Sequence, residues 1–444
     1  MKKQWLRICF IFIACVFTSS FLFSDDLAGK VGNLKNGYRL FDGFDFSNYK
    51  PSPIGVDARV KAEVNHVISQ DKAAGENGTY GIVGHSQGGL RVLAYATELK
   101  KQNKKEYDRL DAVITVSGID KGLKALNGGF PSVKSRLMSD VNTLLGGFRS
   151  MVGVFDNPFS ALAGLIIDGP MKSPSDFNST GVINLVLRFL PENLSVYLKP
   201  ALNNASPDSM AEIRDMFPRS AFLNNYVSKT TEHKYKVQTG TVLALVTDYF
   251  KVFGVKVYYV KLVQKPVYTT FTVYEDKPLF GNEMPVGYIV GLNNNTLSMV
   301  DKKTEKDIRN TVDGFKTAFD ITYGIHIAKN ILVVGLLSNG IQYANDAKAA
   351  RDWCKNFDGE LNEIKCSPEN DGLVAKESQF YPKTFTDPNT KAVRNVHTNV
   401  LGKDPKGYVG YPEYNHANII EAEKVLKKID DMLSEAKETG RRIR

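Results

Sequence analysis

Tyr80-Gly81-Ile82-Val83-Gly84-His85-Ser86-Gln87-Gly88-Gly89-Leu90-Arg91-Val92-Leu93-Ala94-Tyr95 reads as a strand, a sharp turn and a helix. In that setting Gly84-x-Ser86-x-Gly88 predicts a nucleophile elbow, in which a serine stands exposed at the end of a strand. The spacing gives each residue a task. Gly84 and Gly88 keep side chains out of a tight turn, so Ser86 can hold a strained conformation. The backbone N–H of Gln87, opening the helix, faces the place where an oxyanion would form. His85 points away from such a site and is read as a packing residue.

Outward from the elbow, Leu110-Asp111-Ala112-Val113-Ile114-Thr115-Val116-Ser117-Gly118 is a second buried-strand candidate. It is joined to the first by a helix over 90–101 and a basic loop at 102–105. Strand, helix, strand predicts a parallel βαβ unit with a right-handed crossover. Residues 56–70 place Val60, Val64, Val67 and Ile68 at helical spacing and supply the preceding crossover helix.

The 444 residues are 43% hydrophobic and 24% charged, the balance of a globular protein with a sizeable core. Lys2, Lys3 and Arg7 lead into an apolar run at 8–17, then Ser19-Ser20 and Asp25-Asp26. That pattern predicts an export signal over 1–24, too short and too broken to be a membrane anchor. Val16-Phe17 and Phe21-Leu22-Phe23 argue against lipid attachment at Cys15. With the three signal cations removed the formal charge falls from +9 to +6, spread along the chain. Arg441-Arg442-Ile443-Arg444 is a solvated helix end, not a nucleic-acid patch. Cys354 and Cys366 would be the two thiols of the exported chain and predict a disulfide, with two separate buried thiols as the alternative.

The elbow sequence Gly84-His85-Ser86-Gln87-Gly88-Gly89 resembles that of secreted bacterial lipases of the α/β-hydrolase superfamily. Further matches follow in family order: the strand ending Val116-Ser117-Gly118, Ser220-Ala221-Phe222-Leu223-Asn224, Asn370-Asp371-Gly372-Leu373-Val374 and Tyr414-Asn415-His416. The resemblance implies an α/β-hydrolase fold, a mostly parallel sheet flanked by helices, with Asp371 as the acid and His416 as the base serving Ser86. His397 is the alternative base; His66, His233 and His326 are read as structural. Two departures stand out. No His-Gly pair supplies the second oxyanion donor; Leu40-Phe41-Asp42-Gly43-Phe44 is the closest match, making the Phe44 N–H the donor. The competing reading makes 37–44 a later strand and leaves the oxyanion strand missing or replaced. Where several such lipases carry a calcium-binding aspartate, this chain has Asn418, so no metal site is expected.

The core reading divides 25–120 and 351–444 from the insertions between them. Residues 121–219, rich in Leu, Phe and Ile, predict a helical cap, either simply packed or a mobile lid at 141–190 with an acyl-binding face. Residues 220–246 are assigned to a core strand region, and 247–350 to a second insertion with a hairpin at 256–274 broken by Pro266 and with helices. The expected activity is that of an exported serine ester hydrolase acting on lipid acyl esters, without a cofactor, touching a lipid interface and no nucleic acid. A binding protein on a hydrolase scaffold, or an acyltransferase or thioesterase, are the alternatives.

Overall fold

The computed structural model describes residues 60, 61, 64, 65, 79–102, 104–152, 154, 211–332, 338–365, 367–402 and 404–439. The export segment, Phe44, His66, Cys366, 155–190 of the expected lid and 441–444 lie outside them. The chain is mixed α/β. Strand β1 (Tyr80–His85) leads into helix α1 (Gln87–Gln102), a short α2 (Lys104–Arg109) and β2 (Leu110–Val116). α2 thus begins within the stretch expected as a basic loop and runs beyond it, closed by the Arg109–Glu106 pair at 3.0 Å with Tyr107 buried. Then come α3 (Gly129–Val152), α4 (Ala211–Asp215), α5 (Ala221–Tyr226), and the hairpin strands β3 (Ser228–Val252) and β4 (Val255–Pro278). After β5 (Val286–Gly291) follow α6 (Lys302–Leu332), α7 (Ser338–Lys355) and α8 (Phe357–Ile364). The short strands β6 (Thr384–Thr386), β7 (Val393–Asn395) and β8 (Val409–Tyr411) precede α9 (Glu423–Thr439).

Four strands form one parallel sheet in the order β1-β2-β5-β8. Its two faces explain the strand sequences. Ala112, Ile114 and Val116 of β2 share a core with Ile289 and with Val425, Ile429 and Met432 along and beside α9. Val113, between them, faces the opposite core with Val286, Tyr288 and Leu90, Leu93 and Leu99 of α1. A strand covered on both sides needs apolar residues at successive positions, and each one fully buried contributes about 1.5–3 kcal/mol. Val60 and Val64, one helical turn apart, are also fully buried.

Several expectations are corrected. The third sheet strand is β5, not a segment within 220–246. That region forms α5, whose Ser220 cap accepts a hydrogen bond from Leu223 N at 3.2 Å, and the first part of β3. The hairpin runs from Ser228 to Pro278, and Pro266 pairs with Thr241 without ending β4. Both strands of a two-stranded ribbon are edges, where proline's missing N–H is tolerated. In the described part of the expected lid, Phe148 is fully buried against Phe315 and Phe319, at ring distances of 5.5 and 5.3 Å. Gly147 lets α3 approach α7 so closely that a β-carbon there would lie 2.3 Å from Ala350 Cβ. Phe148 and the equally buried Met151 are therefore core residues of a three-helix packing of α3, α6 and α7. The predicted disulfide is absent. Cys354 is a free thiol in the core, and burial pushes its pKa up to about 12.

His397 is fully buried between the rings of Phe280 (5.5 Å) and Tyr288 (6.1 Å), and among the described residues neither ring nitrogen has a hydrogen-bond partner. It is a core residue and not the base. Burial, aided by the Lys383 charge, pushes its pKa down to about 4 from 6.5. The unfolded chain therefore binds the proton more tightly, and stability rises with pH from about 4 to 6.5 and is level above. Relative to a His397→Phe variant, the wild type should lose about 3 kcal/mol between pH 7 and pH 4. Urea unfolding of both proteins across that range checks it; a constant difference would refute the assignment.

Candidate active site

The site is built at the carboxyl ends of three sheet strands, where open α/β sheets place their ligand crevices. Ser86 follows β1 directly. Its φ of 57° lies in the left-handed region, and its backbone is pinned there: Ser86 N donates to Val116 O at 3.1 Å, while Gly89 N and Ile119 N donate to Ser86 O. A β-carbon on Gly84 would sit 2.1 Å from Gly88 O, so glycine is required there. At Gly88 a β-carbon would meet none of the described residues within 4 Å, which corrects its expected role. The close packing belongs to Gly89, where a β-carbon would lie 2.7 Å from Gly118 Cα.

Asp371 lies in the loop that follows α8, beside the end of β5, where Gly291 leaves room for it: a β-carbon on Gly291 would be 2.8 Å from Asp371 Cβ. Buried Gln379 joins the two segments, accepting from Gly291 N (3.1 Å) and donating to Val374 O (3.0 Å). His416 follows β8, with its own N donating to Asp371 O at 2.7 Å. Asn415 shapes that turn by accepting from Ala417 N and Asn418 N, both at 2.9 Å, and by donating to Ser298 O. Asn418 in turn accepts from Asn415 N at 2.8 Å, so its amide serves as a turn clasp.

These loops bring Ser86, Asp371 and His416 together from 330 positions apart in the chain. His416 Nδ1 is 2.8 Å from Asp371 Oδ2, and His416 Nε2 is 2.8 Å from Ser86 Oγ. A carboxylate only accepts, so Nδ1 carries the proton and Nε2 is left to accept from the serine hydroxyl. The other carboxylate oxygen, Asp371 Oδ1, accepts from Leu373 N (3.1 Å) and Val374 N (2.7 Å). Complete burial would raise the Asp371 pKa, but His416 and the two N–H donors outweigh it and hold the carboxyl below its usual range. Lys365, buried nearby, donates to Asn294 O at 3.0 Å and adds a favourable charge for Asp371; burial lowers its own pKa to about 8.

Gln87 opens α1, and its side chain is directed to Met216 Sδ at 3.5 Å. Its backbone N–H thus stays in the first turn next to Ser86, at the end of the helix dipole that favours negative charge. His85 is more than packing. Its Nε2 donates to the His416 carbonyl oxygen at 2.8 Å, with the two rings 4.9 Å apart. Burial and then the His416 charge lower its pKa to about 3, so it serves as a neutral donor. Nothing in the local sequence separates this role from packing, because the partner lies 331 residues away. His326, whose Nε2 donates to Ser150 O, and His233, beside Glu275, are structural as expected.

No family model, curated protein or solved structure matches the chain. The chemical reading therefore rests on the geometry of its own residues. A hydroxyl, an imidazole that can take its proton, and an ionised carboxylate that fixes the tautomer are the parts of an activated nucleophile. His85→Phe keeps an aromatic ring but removes one hydrogen bond from the loop that carries His416. If His416 acts as that base, kcat/KM for ester hydrolysis should fall about tenfold, with partial recovery in His85→Gln. Steady-state kinetics test this, and unchanged kinetics in His85→Phe would return His85 to packing.

Proposed function

We propose that this chain is an exported serine hydrolase of the α/β-hydrolase type that cleaves carboxylic esters, with lipid acyl esters as its substrates. The observation that carries the reading is the unbroken Ser86–His416–Asp371 hydrogen-bond chain, with both links at 2.8 Å. Ser86 and His416 follow the first and fourth strands of the parallel sheet, Asp371 lies beside the end of the third, and the chain order Ser, Asp, His supports the hydrolase fold. The lipid substrate is suggested by the resemblance of Gly84–Gly89 to lipase elbows, and export by the charge pattern of residues 1–24.

In this mechanism His416 Nε2 takes the Ser86 proton as Oγ attacks the ester carbonyl. The tetrahedral oxyanion is met by the Gln87 N–H, and Asp371 stabilises the imidazolium. His416 then gives the proton to the departing alcohol, leaving an acyl-serine. His416 next takes a proton from water as its oxygen adds to the acyl carbon, and then gives that proton to Ser86 Oγ as the acyl–serine bond breaks and the acid leaves. None of these steps draws on a cofactor. A panel of nitrophenyl esters of graded chain length, with Ser86→Ala as control, tests the activity. A fluorophosphonate probe should label Ser86 alone. Absence of both turnover and labelling in the folded protein would overturn the proposal and favour a binding role.

A further inference from the structure

The β3–β4 hairpin is far longer than its anchorage. At about 3.3 Å per residue, the 25 residues of β3 reach roughly 80 Å. Among the described residues, only its base is tied to the core. Tyr381 Oη donates to Ser228 Oγ (3.0 Å), Thr230 Oγ1 to Asp276 Oδ1 (2.7 Å), and the His233 ring lies 4.9 Å from that of Phe385. Beyond Gly240 the ribbon changes character. Leu243, Leu245, Tyr249, Tyr258, Val260 and Leu262 share one face by the strand register, and the four aliphatic ones are 61–72% exposed. Phe253, at the tip, is fully exposed in a two-residue turn with Gly254, both at positive φ. A soluble surface rarely leaves such a patch unpartnered.

The charges indicate what covers it. Residues 241–266 hold four lysines and one acid. That acid, Asp248, pairs with Lys261 on the opposite face. Lys251 and Lys256 stand directly across from each other beside the apolar tip, a like-charge pair that costs stability unless an anion neutralises it. A second copy of the hairpin on this face would add two more lysines to the pair. A surface of anionic headgroups over hydrocarbon meets all three features: phosphates for the lysines, the interfacial layer for the tyrosines, and acyl chains for Phe253 and the leucines. Among the described residues no further strand pairs with either edge of the ribbon, so one hairpin can seat in that interface but not cross it. Among the described residues no helix is long and apolar enough to cross a membrane.

We propose that the distal half of the β3–β4 hairpin is a docking arm for anionic phospholipid membranes. It is independent of ester hydrolysis, so it is tested on the full chain carrying Ser86→Ala. Co-sedimentation with phosphatidylglycerol–phosphatidylcholine vesicles should exceed that with phosphatidylcholine alone at least tenfold and weaken as salt rises. A Phe253→Trp reporter should shift its emission to the blue on anionic vesicles. Leu245→Asp/Leu262→Asp and Lys251→Glu/Lys256→Glu should each lower binding at least tenfold, with unchanged thermal melting confirming the fold. A second variant joins Gly240 to Val267 through Asn-Gly, keeping the braced base, and should also lose binding. Failure to bind either vesicle, equal binding to both, or retained binding by the shortened hairpin would overturn the proposal. A vesicle-free dimer dissolved by the same substitutions would overturn it in favour of self-association.

Discussion

Replacing Ser86 or His416 with alanine is expected to lower kcat/KM for a nitrophenyl ester by roughly 10⁴–10⁶-fold, and the double variant should be no worse than either single one. The non-additivity follows from the geometry. His416 Nε2 has no proton to take without the hydroxyl 2.8 Å away, and the hydroxyl is a weak nucleophile without the imidazole. Asp371 calls for asparagine, because alanine would also orphan the Leu373 and Val374 N–H groups that its Oδ1 satisfies. In Asp371→Asn the amide oxygen can keep those bonds while the NH₂ faces His416 Nδ1. That donor forces the proton onto Nε2, which can then no longer accept from Ser86, and a loss of about 10⁴-fold is expected. Circular dichroism and fluorophosphonate labelling separate loss of chemistry from loss of fold. Near-normal turnover in His416→Ala would remove the base assignment.

The elbow, the βαβ unit and the two loop residues were legible because their signals are local. A glycine-bounded serine between strand and helix, Asp371-Gly372 and Asn415-His416 are short motifs whose backbone demands are written within a few residues. What was not legible depended on distant partners. Phe148 and Met151 announce burial by composition, but only the packing of α3 on α6 and α7 says that they are buried in a helical core and not over the elbow. β5 is six residues long and lies between a hairpin and a 31-residue helix, so its role in the sheet shows only in its pairing with β2 and β8. The base of β3, Lys229-Thr230-Thr231-Glu232-His233-Lys234, has no apolar face to mark it as a strand; cross-strand partners and β6–β7 hold it. A separation of twelve positions from Cys354 to Cys366 carries no information on where the Cys354 side chain points, and it points into the core.

Gly84→Ala and Gly88→Ala should differ sharply although both alter the same five-residue turn. At Gly84 the added β-carbon would lie 2.1 Å from Gly88 O and 2.3 Å from Gly88 C. Both are backbone atoms at the start of α1, so no side-chain rotation can relieve the clash; the helix must shift away from the strand. That shift moves Ser86, whose Oγ has to stay within hydrogen-bond reach of an imidazole fixed by a separate loop. Overpacking of this kind costs about 3 kcal/mol, and a displacement near 1 Å at a reacting atom can cost about a hundredfold in rate. At Gly88 a β-carbon meets none of the described residues within 4 Å, and alanine replaces glycine in the first turn of a helix. There the change should be neutral or stabilise by up to about 1 kcal/mol, with turnover within a few-fold of wild type. Urea unfolding and ester kinetics on the two variants distinguish a steric elbow from a merely flexible one, since flexibility would predict similar losses at both glycines.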